Sequence, residues 1–170
     1  MPSKCSRANA VYDDLPYDIS IEVAVEAPGL DVEALHHLAV RVMAGEKVEE
    51  GTGLAIIIID DDEIREMNHQ FLGIDEPTDV LSFPDEADDF IQAVAGEKLL
   101  GDIAISYPTA ERQAIGVGHS LDAEIAHLLT HGILHLCGYD HVNSAEEEAT
   151  MRAREEHYLG DLGLVHKHEH

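Results

Sequence analysis

Apolar and polar side chains alternate over residues 17–25 (Tyr-Asp-Ile-Ser-Ile-Glu-Val-Ala-Val), the period of a strand with one buried face. Asp31 then caps an amphipathic segment that reaches about residue 44. The run Gly-Leu-Ala-Ile-Ile-Ile-Ile-Asp over residues 53–60 is almost unbroken apolar surface, which predicts a central strand covered on both faces. The acids at 60–63 suit the positive end of a helix predicted over residues 61–71. Past Pro77, residues 78–83 form a short strand stopped by Pro84, and the acidic stretch through Lys98 reads as a loop with one turn of helix.

Residues 100–106 are a further strand, and residues 108–115 and 120–137 are helices separated by Gly116 and Gly118. Ser144 opens a last helix, with Glu147 completing a capping box. Strands and helices alternate without an internal repeat or a dividing linker, so the chain is expected to be a single α+β domain, α/β-like, around a short mixed sheet. A length of 170 residues with 45% hydrophobic content supports one core. Residues 1–15 and 162–170 are expected to be flexible ends, and the alternating His166 to His170 tail is given no role.

Charge narrows the function. Ten Lys+Arg against 35 Asp+Glu give a net charge of −25, which repels polyanions and counts against indiscriminate nucleic-acid binding. A solvated acidic surface explains this as well as adaptation to salt does. No run approaches the ~18 apolar residues of a membrane span, and the first residues lack the apolar core of a secretory signal. The expected location is the cytoplasm, with no membrane partner. Cys5 and Cys137 form no C-x-x-C pair and are expected to be reduced thiols, Cys137 packed in the core.

The chemistry gathers at His131-Gly-Ile-Leu-His135-Leu-Cys-Gly-Tyr-Asp-His141. Histidines four apart share a helix face, so His131 and His135 offer two imidazoles to one ion. Gly138 suits a left-handed cap, after which the chain turns back and brings His141 to a third position at the end of the helix. Three imidazoles with an open fourth position suit one catalytic zinc ion per chain. Ile125, Leu128, Leu129, Gly132 and Leu136 make the core stripe, while His127, His131 and His135 stand on another face. His127 and Glu124 are candidates to orient a ligand, or are solvated helix positions.

In a zinc protease of the H-E-x-x-H kind the glutamate after the first histidine is the base; here Gly132 stands there, and peptide hydrolysis becomes the alternative reading. The histidine segment, together with Glu-Pro-Thr-Asp-Val-Leu-Ser-Phe-Pro at residues 76–84 and Leu-Gly-Asp-Ile-Ala-Ile-Ser at residues 100–106, closely resembles the bacterial YbeY family of rRNA maturation factors over about residues 50–160. That resemblance implies a zinc-dependent, single-strand-specific endoribonuclease. It implies maturation of the 3′ end of small-subunit rRNA, ribosome quality control, and partners among the small subunit and its assembly factors. It also implies a mixed four-stranded sheet with about five helices.

The family usually has a Tyr-Arg pair shortly before the Pro-Thr-Asp motif, where this chain has Phe71 and Leu72. An arginine there would bind phosphate, and Arg65 is the nearest substitute. Beside His131, Asp140 and Asp102 are candidate catalytic acids or bases, each equally a turn or capping residue; Asp79 and Ser82 line the cleft or face solvent. A non-catalytic, metal-stabilised assembly module stays open as a further class.

Overall fold

The computed structural model describes residues 17–84, 99–138 and 145–159. The described strands are β1 (Asp18–Val23), β2 (Gly53–Ile59), β3 (Val80–Pro84) and β4 (Leu99–Ser106). The described helices are α1 (Val32–Gly45), α2 (Asp61–Leu72), α3 (Tyr107–Val117), α4 (Leu121–Leu136) and α5 (Ala145–Leu159). In space the strands run β1-β2-β4-β3. The first three are parallel and β3 returns antiparallel along the edge of β4. The α+β class, the mixed four-stranded sheet and the five helices all match the expectation.

Local chemistry sets the ends of these elements. Asp31, Asp60, Ser106 and Ser120 each accept a hydrogen bond from a backbone N–H of the first turn of α1, α2, α3 and α4. Gly73 and Gly118 end α2 and α3 in the left-handed conformation. The capping box at Ser144 lies outside the described residues, as do the predicted loop over residues 85–98 and both expected flexible ends.

Ile19, Ile21, Leu54, Ile56, Ile58, Ile103 and Ile105 turn one face of the sheet toward α1, α3, α4 and α5, and this is the main core. Among the described residues the opposite face carries only α2, which seats Ile64 against Ile59, Leu81 and Ala104. Here the expectation for β2 needs correction. The strand is central, but its second face is not fully covered: Ala55 and Ile57 are half-buried. A single 12-residue helix is too short to roof that face. What remains is an open cleft of about 650 Å³, bordered by Ala55, Ile57, Phe71, Leu72, Phe83 and Asp102.

Candidate functional site

Helix α4 is buried on most of its surface, through Ile125, Leu128, Leu129, Ile133 and Leu134, and its half-buried stripe is His127, His131 and His135. It lies close against the sheet at Gly132. A Cβ at that position would stand 3.1 Å from Ile103 Cδ1 and 3.1 Å from Ser82 Oγ. The Ser82 hydroxyl donates to the Gly132 carbonyl at 3.3 Å, which ties edge strand β3 to the turn between the two candidate ligands. Position 132 therefore faces the sheet, away from the histidine stripe. Both the missing carboxylate and its direction set this helix apart from a zinc-protease helix.

The imidazole rings of His131 and His135 have centroids 5.2 Å apart, so one ion can reach both. Cys137 caps the helix, and Gly138 follows with φ +110°, the positive-φ turn expected there. His141 and Asp140 lie outside the described residues, and among the described residues no cluster of three His, Cys, Asp or Glu side chains is placed to hold a metal. Burial, with the charge of Glu46 adding to it, pushes the Cys137 thiol up to about 11, which makes it a poor ligand. Its side chain packs against the main core, as expected.

The residue that sequence reasoning missed is Glu155, on α5. It is 6% exposed. One carboxylate oxygen lies 2.7 Å from His131 Nδ1 and the other 3.3 Å from His127 Nε2. Burial alone would raise this carboxyl, but the hydrogen bonds and charge of the two histidines outweigh it and hold it at about 2. An ionised carboxylate only accepts hydrogen bonds, so both ring nitrogens that face it carry protons. His131 then turns its other ring nitrogen, Nε2, away from Glu155. Metal-binding histidines are commonly held this way, with the second ring nitrogen bonded to a carboxylate, so the two described imidazoles suit a zinc ion as ligands.

The other predicted residues are placed as follows. His127 shares Glu155 with His131; burial alone would lower its pKa, but the Glu155 hydrogen bond raises it. Glu124, a candidate to orient a ligand or a solvated helix position, is 6% exposed, and its carboxylate oxygen lies 2.7 Å from His119 Nε2, because α4 begins beside the chain segment leaving α3. Asp79 is half-buried and structural in its contacts, accepting from the Val80 N–H at 2.8 Å and from Gln113 Nε2 at 3.3 Å. Asp102 is exposed on β4, next to Ile103, which packs against α4. Alternation along the strand puts Asp102 on the face opposite Ile103, where it borders the cleft together with Leu72, Ser82 and Phe83.

Arg65 is committed to an exposed ion pair with Asp75 at 2.8 Å. The other described arginines are engaged as well: Arg41 with the Tyr158 carbonyl, Arg112 with Asp61, Arg152 with Glu148 and Arg154 with Glu46. Leu72, where the resemblance leads one to expect arginine, is 57% exposed beside Phe71 at the end of α2. No helix among the described residues is long and apolar enough to cross a membrane.

The family model described as Endoribonuclease YbeY matches residues 21–163. The Endoribonuclease YbeY of Chloroflexus aurantiacus is 44% identical over 150 residues, covering 87% of this chain and 97% of its own. That of Aquifex aeolicus is 45% identical over 131 residues, covering 77% and 81%. The solution structure of TM1509 from Thermotoga maritima superposes with a TM-score of 0.54 at 30% identity, covering 84% of this chain and 91% of that one. With a match across most of its length and relatives this similar over nearly all of theirs, the chain belongs to the YbeY endoribonuclease family.

Proposed function

We propose that this chain is a zinc-dependent, single-strand-specific endoribonuclease of the cytoplasm that matures the 3′ end of small-subunit rRNA and acts in ribosome quality control, beside the small subunit and its assembly factors. The observation that carries the metal part is the His131 ring, anchored through Nδ1 by buried Glu155 and set 5.2 Å from the His135 ring. His131, His135 and His141 would hold the ion. Bound there, zinc supplies Lewis acidity to a phosphodiester and a nucleophilic water at neutral pH.

The chain's own residues supply position. Glu155 holds His131 against rotation, and the Ser82 bond to Gly132 fixes α4 on β3. Every described arginine already has an acidic or carbonyl partner, so a phosphate must compete with those partners for the described guanidinium groups. A −25 molecule then needs its ribosomal partners to hold RNA close.

The test is cleavage of a 3′-extended small-subunit rRNA by parent protein and by His131→Ala, with bound zinc measured for both. Zinc-dependent cutting of single-stranded RNA by the parent alone supports the reading. Saturated zinc without cleavage, even on a ribosomal particle, would select the assembly module instead, and a peptidase activity lost in His131→Ala would select the alternative hydrolase.

A further inference from the structure

Helix α5 carries its apolar contacts on Met151, Tyr158 and Leu159, and Glu155 sits within that same buried stripe. A carboxylate in a core stripe is costly unless it is fully bonded. Here both oxygens are taken by histidines of α4. The neighbouring residue, Arg154, reaches the other way: its Nε and Nη2 donate to Glu46 Oε2 at 2.9 and 2.7 Å, beside the C-terminus of α1. Tyr158 completes the clamp by donating its hydroxyl to the same Glu46 oxygen at 2.6 Å. Gly45 admits that phenol, since a Cβ at this position would collide with the Tyr158 ring. Arg41 adds a bond to the Tyr158 carbonyl at 2.6 Å. Helix α5 is thus pinned to α1 on one side and to the histidine face of α4 on the other.

We propose that Glu155 is a positioning residue for the metal centre: it fixes the His131 ring with Nδ1 protonated and Nε2 directed to the ion, and the Glu46–Arg154–Tyr158 clamp on α1 sets its place. The inference rests on the proposed zinc site. It assigns a role to α5 and α1, neither of which carries a ligand. His127 is the second donor that keeps the Glu155 carboxylate from turning away from His131. Loss of Glu155 leaves the ligands in sequence but lets the His131 ring rotate and change tautomer.

The test uses the full chain with zinc or cobalt(II) alone as the probe. In metal-free parent protein, nitrogen-15 spectra of the histidine rings should show His131 as the Nδ1-protonated form. Zinc affinity, measured against a competing chelator, should fall by about ten- to a hundredfold in Glu155→Gln, the usual effect of removing such a partner. The visible cobalt spectrum should shift with it, which a purely structural role for Glu155 would not cause.

Tyr158→Phe loosens the clamp without changing a group bonded to the α4 histidines and should move affinity in the same direction, by about two- to tenfold. It serves as the reporter should Glu155→Gln not fold. An Nε2-protonated His131 in the parent, or parent-like affinity and cobalt spectra in the folded variants, would overturn the proposal. A parent that binds no zinc at all overturns the metal reading itself, and the ring tautomer then shows separately whether Glu155 orients His131.

Discussion

Gly132→Glu would restore the glutamate of a zinc-protease helix, and the structure gives that residue nowhere to go. The first added atom, Cβ, already stands 3.1 Å from Ile103 Cδ1, 3.2 Å from Ile103 Cγ2 and 3.1 Å from Ser82 Oγ. Ile103 is fully buried and can give by only a few tenths of an ångström. Overpacking of this kind costs about 1–3 kcal/mol, and a carboxylate pressed against an isoleucine with one hydroxyl in reach adds roughly 2 kcal/mol or more. Replacing a helix glycine returns only about 1 kcal/mol.

The net destabilisation is then on the order of 2–4 kcal/mol, and at about 2–4 °C per kcal/mol for a chain of this size the melting temperature should drop by roughly 4–16 °C. Gly132→Ala is the control. Its Cβ needs Ile103 to give by a few tenths of an ångström, the helix gain of about 1 kcal/mol offsets that, and the variant should melt within ~3 °C of the parent. Differential scanning calorimetry with peptide and RNA cleavage assays reads both variants. A Gly132→Glu protein that melts like the parent would refute the packing of α4 on β3, and if it also cut peptides, position 132 would have to face the metal.

Two further outcomes follow from the same geometry. His135→Ala should lose the zinc found by elemental analysis in the parent, and the parent should release it as pH falls through about 5–6, because each imidazole must be neutral to bind. Asp61 accepts from Ser106, Thr109 and Arg112; burial alone would raise its carboxyl, but these bonds outweigh it and hold the pKa below the ordinary 3.8. A depressed carboxyl stabilises the fold above its unfolded pKa and stops doing so as pH falls through the folded one. Asp61→Asn should therefore lower urea stability at pH 7 and narrow its gap to the parent at pH 3.

The parts of this site that were legible in the sequence are those that one helix or one strand settles alone. His131 and His135 share a face because of their spacing, and Gly138 takes a positive φ because the helix ends there. Glu155 was not legible, since its partners lie on another helix and only the packing of α5 on α4 brings them within 3.3 Å. A signal was present: Met151, Glu155, Tyr158 and Leu159 fall on one helical stripe, and a glutamate among core positions asks for a partner. Asp102 shows the converse case. Alternation with Ile103 and Ile105 already implied opposite faces, but which face met the histidine helix depended on Gly132 and Ser82. The half-buried state of Ala55 and Ile57 on β2 likewise depends on how α2 packs on that side of the sheet, which no local pattern reveals.

Leu72 is where this separation between local and tertiary information can be tested. The family resemblance leads one to expect an arginine here, and an arginine would be costly only if position 72 were a core position. The structure answers that point: Leu72 is 57% exposed and Phe71 60%, with only the Phe71 ring touching Phe83, at a centroid distance of 5.1 Å. An arginine would need no burial. It would stand in the last turn of α2, where a cation complements the helix dipole, so Leu72→Arg should leave stability within about 0.5 kcal/mol of the parent.

If the arginine stabilises charge developing on the phosphate, single-strand RNA cleavage should rise in this variant. Removing such a donor elsewhere costs about a hundred- to a thousandfold, so even a fraction of that gain is measurable as kcat at saturating RNA. If it only adds phosphate affinity, KM falls and kcat stays level. A Leu72→Arg protein that melts like the parent, keeps its zinc and changes neither constant would remove position 72 from the catalytic surface, and with it the idea that leucine there limits this chain's activity.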